Sequence, residues 1–94
     1  DMNALLISSK DNVAVVTEQV GKGKTIEYVS GGAPSVMIAA TDVPVYHKAA
    51  IRDIETGEKI IKYGYVIGMA TGPIKKGEHV HCHNVVSAAE GVGK

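Results

Sequence analysis

Short apolar stretches, broken every few residues by glycine, proline or charge, run the length of this chain. None sustains the helical spacing for ten residues, so the pattern predicts strands and turns. Residues 4–7 form a short apolar run, and Lys10-Asp11-Asn12 reads as a turn. Residues 13–18 are rich in β-branched side chains and read as a strand, as does the alternating segment 25–29. Between them lies the flexible turn Gly21-Lys22-Gly23. Residues 30–34 read as a loop, and 36–40 suit a strand or a short helix equally. Residues 1–87 are expected to form a single domain, and 88–94 a small, polar, frayed tail.

A spaced pattern recurs along the chain. Ile54-Glu55-Thr56-Gly57-Glu58-Lys59-Ile60 and Ile74-Lys75-Lys76-Gly77-Glu78-His79-Val80 share the form apolar-x-x-Gly-Glu-x-apolar. Val20-Gly21-Lys22-Gly23-Lys24-Thr25-Ile26 has the same skeleton without the glutamate. Val43-Pro44-Val45-Tyr46-His47-Lys48-Ala49 fits with tyrosine in the glycine position. Such a unit describes a tight turn: an apolar residue enters the core, the glycine takes a left-handed backbone angle, and the chain returns as a new strand. The fold class that results is mainly β, compact and twisted, with little helix.

Ninety-four residues make one small domain, with little room for both a deep cleft and a full catalytic set. The apolar share is mostly Val, Ile and Ala, without Trp or Phe. Ten basic and ten acidic residues cancel, and no basic patch or row of aromatic platforms suggests nucleic acid. No apolar run reaches the length of a membrane span. The single cysteine, Cys82, has no internal disulfide partner. Together these features point to a cytoplasmic protein that meets neither nucleic acid nor membrane.

The densest chemistry lies in His79-Val80-His81-Cys82-His83-Asn84. On a strand, alternate residues share a face, so His79, His81 and His83 are expected on one side, with Val80 and Cys82 turned to the core. Same-face neighbours sit about 7 Å apart at Cα, close enough for imidazoles to converge on one divalent metal or one acidic group. An edge strand with solvated histidines gives the same pattern. His47 joins this group only if folding brings it there. Lys62-Tyr63-Gly64-Tyr65 reads either as a glycine bend capped by tyrosines or as a Lys and Tyr that bind a carboxylate or donate a proton.

The ordered run His47-Lys48-Ala49-Ala50-Ile51-Arg52-Asp53-Ile54, Gly57-Glu58, Ile61-Lys62-Tyr63-Gly64, Ile67-Gly68-x-Ala70 and Gly77-Glu78-x-Val80-His81-x-His83-Asn84 resembles the SAF domain of the altronate/galactarate dehydratase family. It is equally similar to the separate small subunit of sulfolactate sulfo-lyase. The resemblance implies a β-clip fold. It also implies a lyase in two parts, with a larger catalytic subunit or domain, a sugar-acid substrate and a divalent metal, Fe(II) or Mn(II). Carried over by position, it marks His47, His81 and His83 as metal ligands or acid/base groups and Lys48 as a catalytic neighbour. Lys62, Tyr63 and Asn84 are marked as substrate-binding. His79 falls where the family varies and ranks lower, and Tyr46 replaces the family's usual glycine before the turn histidine. The isolated chain is expected to be inactive. The rival expectation is a non-catalytic β-clip module that binds a sugar acid or a partner protein. Self-association into a homo-oligomer is compatible with either.

Overall fold

The computed structural model describes residues 2–87 and holds nine strands and no helix among them. The expected frayed tail lies outside the described residues. The strands are β1 (Ala4–Leu5), β2 (Val13–Val16), β3 (Thr25–Ser30), β4 (Ala33–Ile38), β5 (Lys48–Ala50), β6 (Lys59–Lys62), β7 (Tyr65–Ala70), β8 (His79–Val80) and β9 (Val85–Ser87). They form an antiparallel sheet in the order β1-β2-β5-β8, a hairpin β3-β4 and a second sheet β6-β7-β9. The mainly-β expectation therefore holds.

The recurring pattern of the sequence is a recurring turn of the structure. Gly23, Gly57 and Gly77 have φ of 87°, 85° and 88°, and Tyr46 in the equivalent place has φ 65°. Each turn closes by a hydrogen bond from the next residue's N–H: Lys24 to Gly21, His47 to Pro44, Glu58 to Glu55 and Glu78 to Lys75. A positive φ at the third turn position is what such a turn requires. The glutamate shared by two of the turns has its own role. Glu58 Oε1 accepts the Glu55 N–H at 3.0 Å, and Glu78 Oε1 accepts the Lys75 N–H at 2.6 Å. The first turn lacks that glutamate, and Asp42 Oδ1 accepts the Lys22 N–H at 2.7 Å instead.

The turns pair off. Val20 and Val43 exchange two backbone hydrogen bonds, and Ile54 and Ile74 do the same. All four are buried, and so are the returning residues Ile26, Ala49, Ile60 and Val80. Two apolar clusters result. One gathers Val16, Val20, Ile26, Tyr28 and Val43 under the β3-β4 hairpin. The other gathers Val13, Ile54, Ile60, Ile74 and Val80 under β6-β7. Two similar halves thus meet across the paired central strands β2 and β5. Strands this short gain little from their own ladders, so burial of the turn residues carries most of the stability.

Some local expectations are corrected. Residues 30–34 are not a loop: the β3-β4 ladder runs on to Ser30↔Ala33 around Gly31-Gly32, both at positive φ. Residues 36–40, which suited strand or short helix equally, begin in strand. The turn at Lys10 leaves Asp11 and Asn12 buried. Asp11 accepts backbone N–H groups of Ile7, Ser8 and Gly64. Asn12 links Lys59 O to Ile61 N–H. These two polar residues pin the β1-β2 connection to the second half.

Candidate metal centre and adjoining cavity

The centre is built where β5 and β8 pair antiparallel, with Lys48 opposite Val80 and Ala49 opposite His79. In that register His47, leaving the Tyr46 turn, falls opposite His81, on the face that also carries His79. Nδ1 of His47 and Nε2 of His79 are 2.7 Å apart, and one must donate its proton to the other. The rings of His47 and His81 stack at 4.2 Å between centroids, and those of His79 and His83 lie 5.0 Å apart. One nitrogen each from His47, His79 and His81 falls within 4.8 Å of the other two.

The strand expected over residues 79–83 stops at Val80. Asn84 turns the chain there. Its Nδ2 donates to His79 O at 2.9 Å, its Oδ1 accepts the His81 N–H at 3.0 Å, and its own N–H donates to His81 O at 3.0 Å. Both ends of the Asn84 side chain therefore hold the backbone that carries His79 and His81. Because the alternation ends at Val80, Cys82 is exposed instead of packed in the core. The Thr41 hydroxyl accepts the His79 N–H at 3.0 Å and fixes that residue from the other side.

Burial, together with the neighbouring positive charge of His47, His83, His81 and Lys48, lowers His79 from 6.5 to about 4. Desolvation, with the charges of His47, Lys48 and His83, lowers His81 as well. Neutral imidazoles are the form a metal needs. A tetrahedral ion with Zn-like bonds holds its ligand nitrogens roughly 3.3 Å apart. One pair of nitrogens lies at 2.7 Å and all three lie within 4.8 Å of one another, so small ring rotations would seat one divalent ion on His47, His79 and His81. The donor set fits.

Lys48 points the other way. It is half-buried on the Val80 side of the β5-β8 pair, and its pKa is lowered by burial and by the charge of Lys62. It lines a cavity of about 210 Å³ with Ile67, His81, Cys82, Val85 and Ser87. His81 therefore belongs to both the cluster and the cavity wall. Lys62 Nζ lies 5.0 Å over the ring of Tyr63, which itself sits at φ 56° ahead of Gly64. Of the residues singled out from the sequence, folding thus unites His47 with His81 and adds His79, which ranked below His83. The signal for His79 was present in the His-x-His-x-His alternation.

The family model of the altronate/galactarate dehydratase SAF domain matches residues 2–88. The chain belongs to this family. Among curated relatives, it is 36% identical to the altronate dehydratase of Escherichia coli over 83 residues, covering 88% of this chain and 16% of that one. It is 51% identical to the (2R)-sulfolactate sulfo-lyase subunit alpha of Chromohalobacter salexigens over 43 residues, 46% of either chain. The corresponding subunit of Paracoccus pantotrophus is 40% identical over 48 residues, 51% of this chain and 72% of that one. The chain thus spans under half of the Chromohalobacter subunit and about a sixth of the Escherichia dehydratase. The SAF domain is one part of the longer lyases in this family.

Proposed function

We propose that this SAF domain contributes His47, His79 and His81 to the active site of a sugar-acid dehydratase whose remaining machinery lies on a larger subunit or domain. The convergence of His47 with two histidines from the far end of the chain carries the reading. A divalent ion there, Fe(II) or Mn(II), would polarise the hydroxyl groups of the substrate. The three imidazoles would hold the ion, and Asn84 fixes the backbone of two of them. His83, beside the cluster, is placed to move a proton. Dehydration removes the proton from the hydroxyl-bearing α-carbon and expels hydroxide from the next carbon, leaving an enol that rearranges to a 2-keto-3-deoxy acid.

The 51% identity to a sulfo-lyase subunit favours a second reading, in which sulfite leaves in place of hydroxide. Both readings use the same histidines. The test pairs the chain with its larger partner and measures metal content and turnover of altronate, galactarate and sulfolactate for wild type and His81→Ala. Loss of both metal and turnover is expected. Wild-type values in both would overturn the proposal, and the productive substrate separates dehydratase from sulfo-lyase.

A further inference from the structure

The β5-β8 pair separates two kinds of chemistry. The imidazoles gather on one face. On the other, Lys48 lines a cavity walled by Ile67 and Val85, with Ser87, Cys82 and the ring of His81 completing it. Among the described residues no carboxylate pairs with Lys48. Acids elsewhere are engaged: Glu58 with Arg52 and the Glu55 N–H, Glu78 with the Lys75 N–H, and Asp11 with three backbone N–H groups. The charged neighbours that do act on Lys48 and its surroundings are Lys62 and the histidines, all basic.

A half-buried ammonium without a counter-ion loses hydration and gains nothing in return. Beside an apolar wall, its attraction for an anion is stronger than in open water. Among the described residues nothing supplies the opposite charge, so a bound anion is the partner that this site calls for. We infer that this cavity is the subsite for the acid end of the substrate, a carboxylate or a sulfonate, held by Lys48 behind the histidine cluster. The identity of that substrate rests on the function proposed above, whereas the anion site stands on the cavity and Lys48 alone.

Cys82 lines the cavity and is exposed, which makes its thiol a reporter. The 94-residue chain is labelled with N-ethylmaleimide after chelation of metal, at ionic strength fixed with chloride. Glycerate tests the carboxylate, methanesulfonate the sulfonate, and glycerol is the neutral control. Labelling is expected to slow by about tenfold when a bound anion stands at about ten times its Kd. Protection by one anion alone identifies which acid group the cavity takes. Lys48→Met should abolish protection while metal binding by the histidines persists. Protection by neither anion, equal protection by glycerol, or full protection in Lys48→Met each overturns the inference. Should Lys48→Met fail to fold, anion-dependent shifts of the Ile67 and Val85 methyl resonances in wild type decide it, and their absence overturns it. Metal affinity measured on the same samples separates failure of this site from failure of the metal reading.

Discussion

Nδ1 of His47 lies 2.7 Å from Nε2 of His79, although 32 residues separate them in sequence. A proton bridges the two nitrogens in the absence of metal, and a divalent ion must displace it. His79 therefore matters to metal binding as much as His47 does. His79→Ala and His47→Ala are each expected to weaken metal binding by at least about 100-fold, more than loss of a supporting contact usually costs. His83, beside the cluster but outside the trio within 4.8 Å, is expected to matter less, about tenfold or under. Calorimetric titration of the variants with Mn(II) checks the ranking. Equal losses for His79→Ala and His83→Ala would show a different ligand set.

Acid should destabilise the metal-free domain in two separate windows. Burial and its basic neighbours lower His79 from 6.5 to about 4. Between those values the unfolded chain binds the proton and the folded chain does not, so stability falls as pH falls through that range. Allowing for solvent around a partly exposed ring, the loss is of order 1–2 kcal/mol. His79→Gln should flatten most of this slope and leave the smaller contribution of His81. Asp11 acts lower. Burial alone would raise it, but backbone hydrogen bonds from Gly64, Ser8, Tyr63 and Ile7 outweigh burial and hold it below 3.8. Its contribution is present above 3.8 and is lost as pH falls through the lower folded value. Thermal melts from about pH 3 to about pH 8 resolve the two windows.

The turns were legible in the sequence because each is local. A buried apolar lead, a residue at positive φ and an apolar return fix a turn within seven positions, whatever packs on it. The β2 and β3 strands were legible for the same reason, through their β-branched and alternating residues. The histidine centre was only half legible. Alternation assumed that a strand continues to His83, but a strand continues only while it has a partner. Beyond Lys48 the partner chain enters the Tyr46 turn, and beyond Val80 Asn84 bends the other strand away. That removes Cys82 from the core and favours His79 over His83 beside His47. The meeting of His47 with the C-terminal histidines depends on the β5-β8 register, which no short stretch of sequence encodes.

Asn84 tests whether that bend positions the centre. Asn84→Ala loses the contacts to His79 O and the His81 N–H together. It should weaken Mn(II) binding by about 10–100-fold, the range found when groups that orient ligands are removed. The described chain should stay folded, since both apolar clusters are untouched. Asn84→Asp keeps the acceptor for the His81 N–H but not the donor to His79 O, and should fall between the two. Unchanged affinity in Asn84→Ala would free Asn84 for contact with substrate instead.

Asp11→Ala should be among the costlier substitutions of a polar residue. It strands the N–H groups of Ile7, Ser8 and Gly64 beneath the β6-β7 turn. The expected loss is about 2–4 kcal/mol, read from urea denaturation. Because the same carboxylate clamps the turn that holds Tyr63 at φ 56°, amide exchange at Gly64 should accelerate in step. A loss within experimental error would mean that water replaces the carboxylate without penalty.

The four related turns allow backbone strain to be separated from close packing. A Cβ at Gly57 would meet nothing within 4 Å, so Gly57→Ala pays only for its left-handed backbone, about 1–2 kcal/mol. A Cβ at Gly77 would lie 2.2 Å from Ile38 O, so Gly77→Ala must also push β4 away and should cost about 3 kcal/mol or more. Tyr46 already bears the left-handed penalty at φ 65° with its side chain exposed, so Tyr46→Gly should stabilise the domain, by about 1 kcal/mol or less once the extra freedom of unfolded glycine is counted. Denaturant midpoints of the three variants give the comparison directly. If Tyr46→Gly instead destabilises, the tyrosine ring contributes packing that outweighs the strain of its backbone, and the turn before His47 is held by the side chain as well as by the hydrogen bonds to Val16 and Pro44.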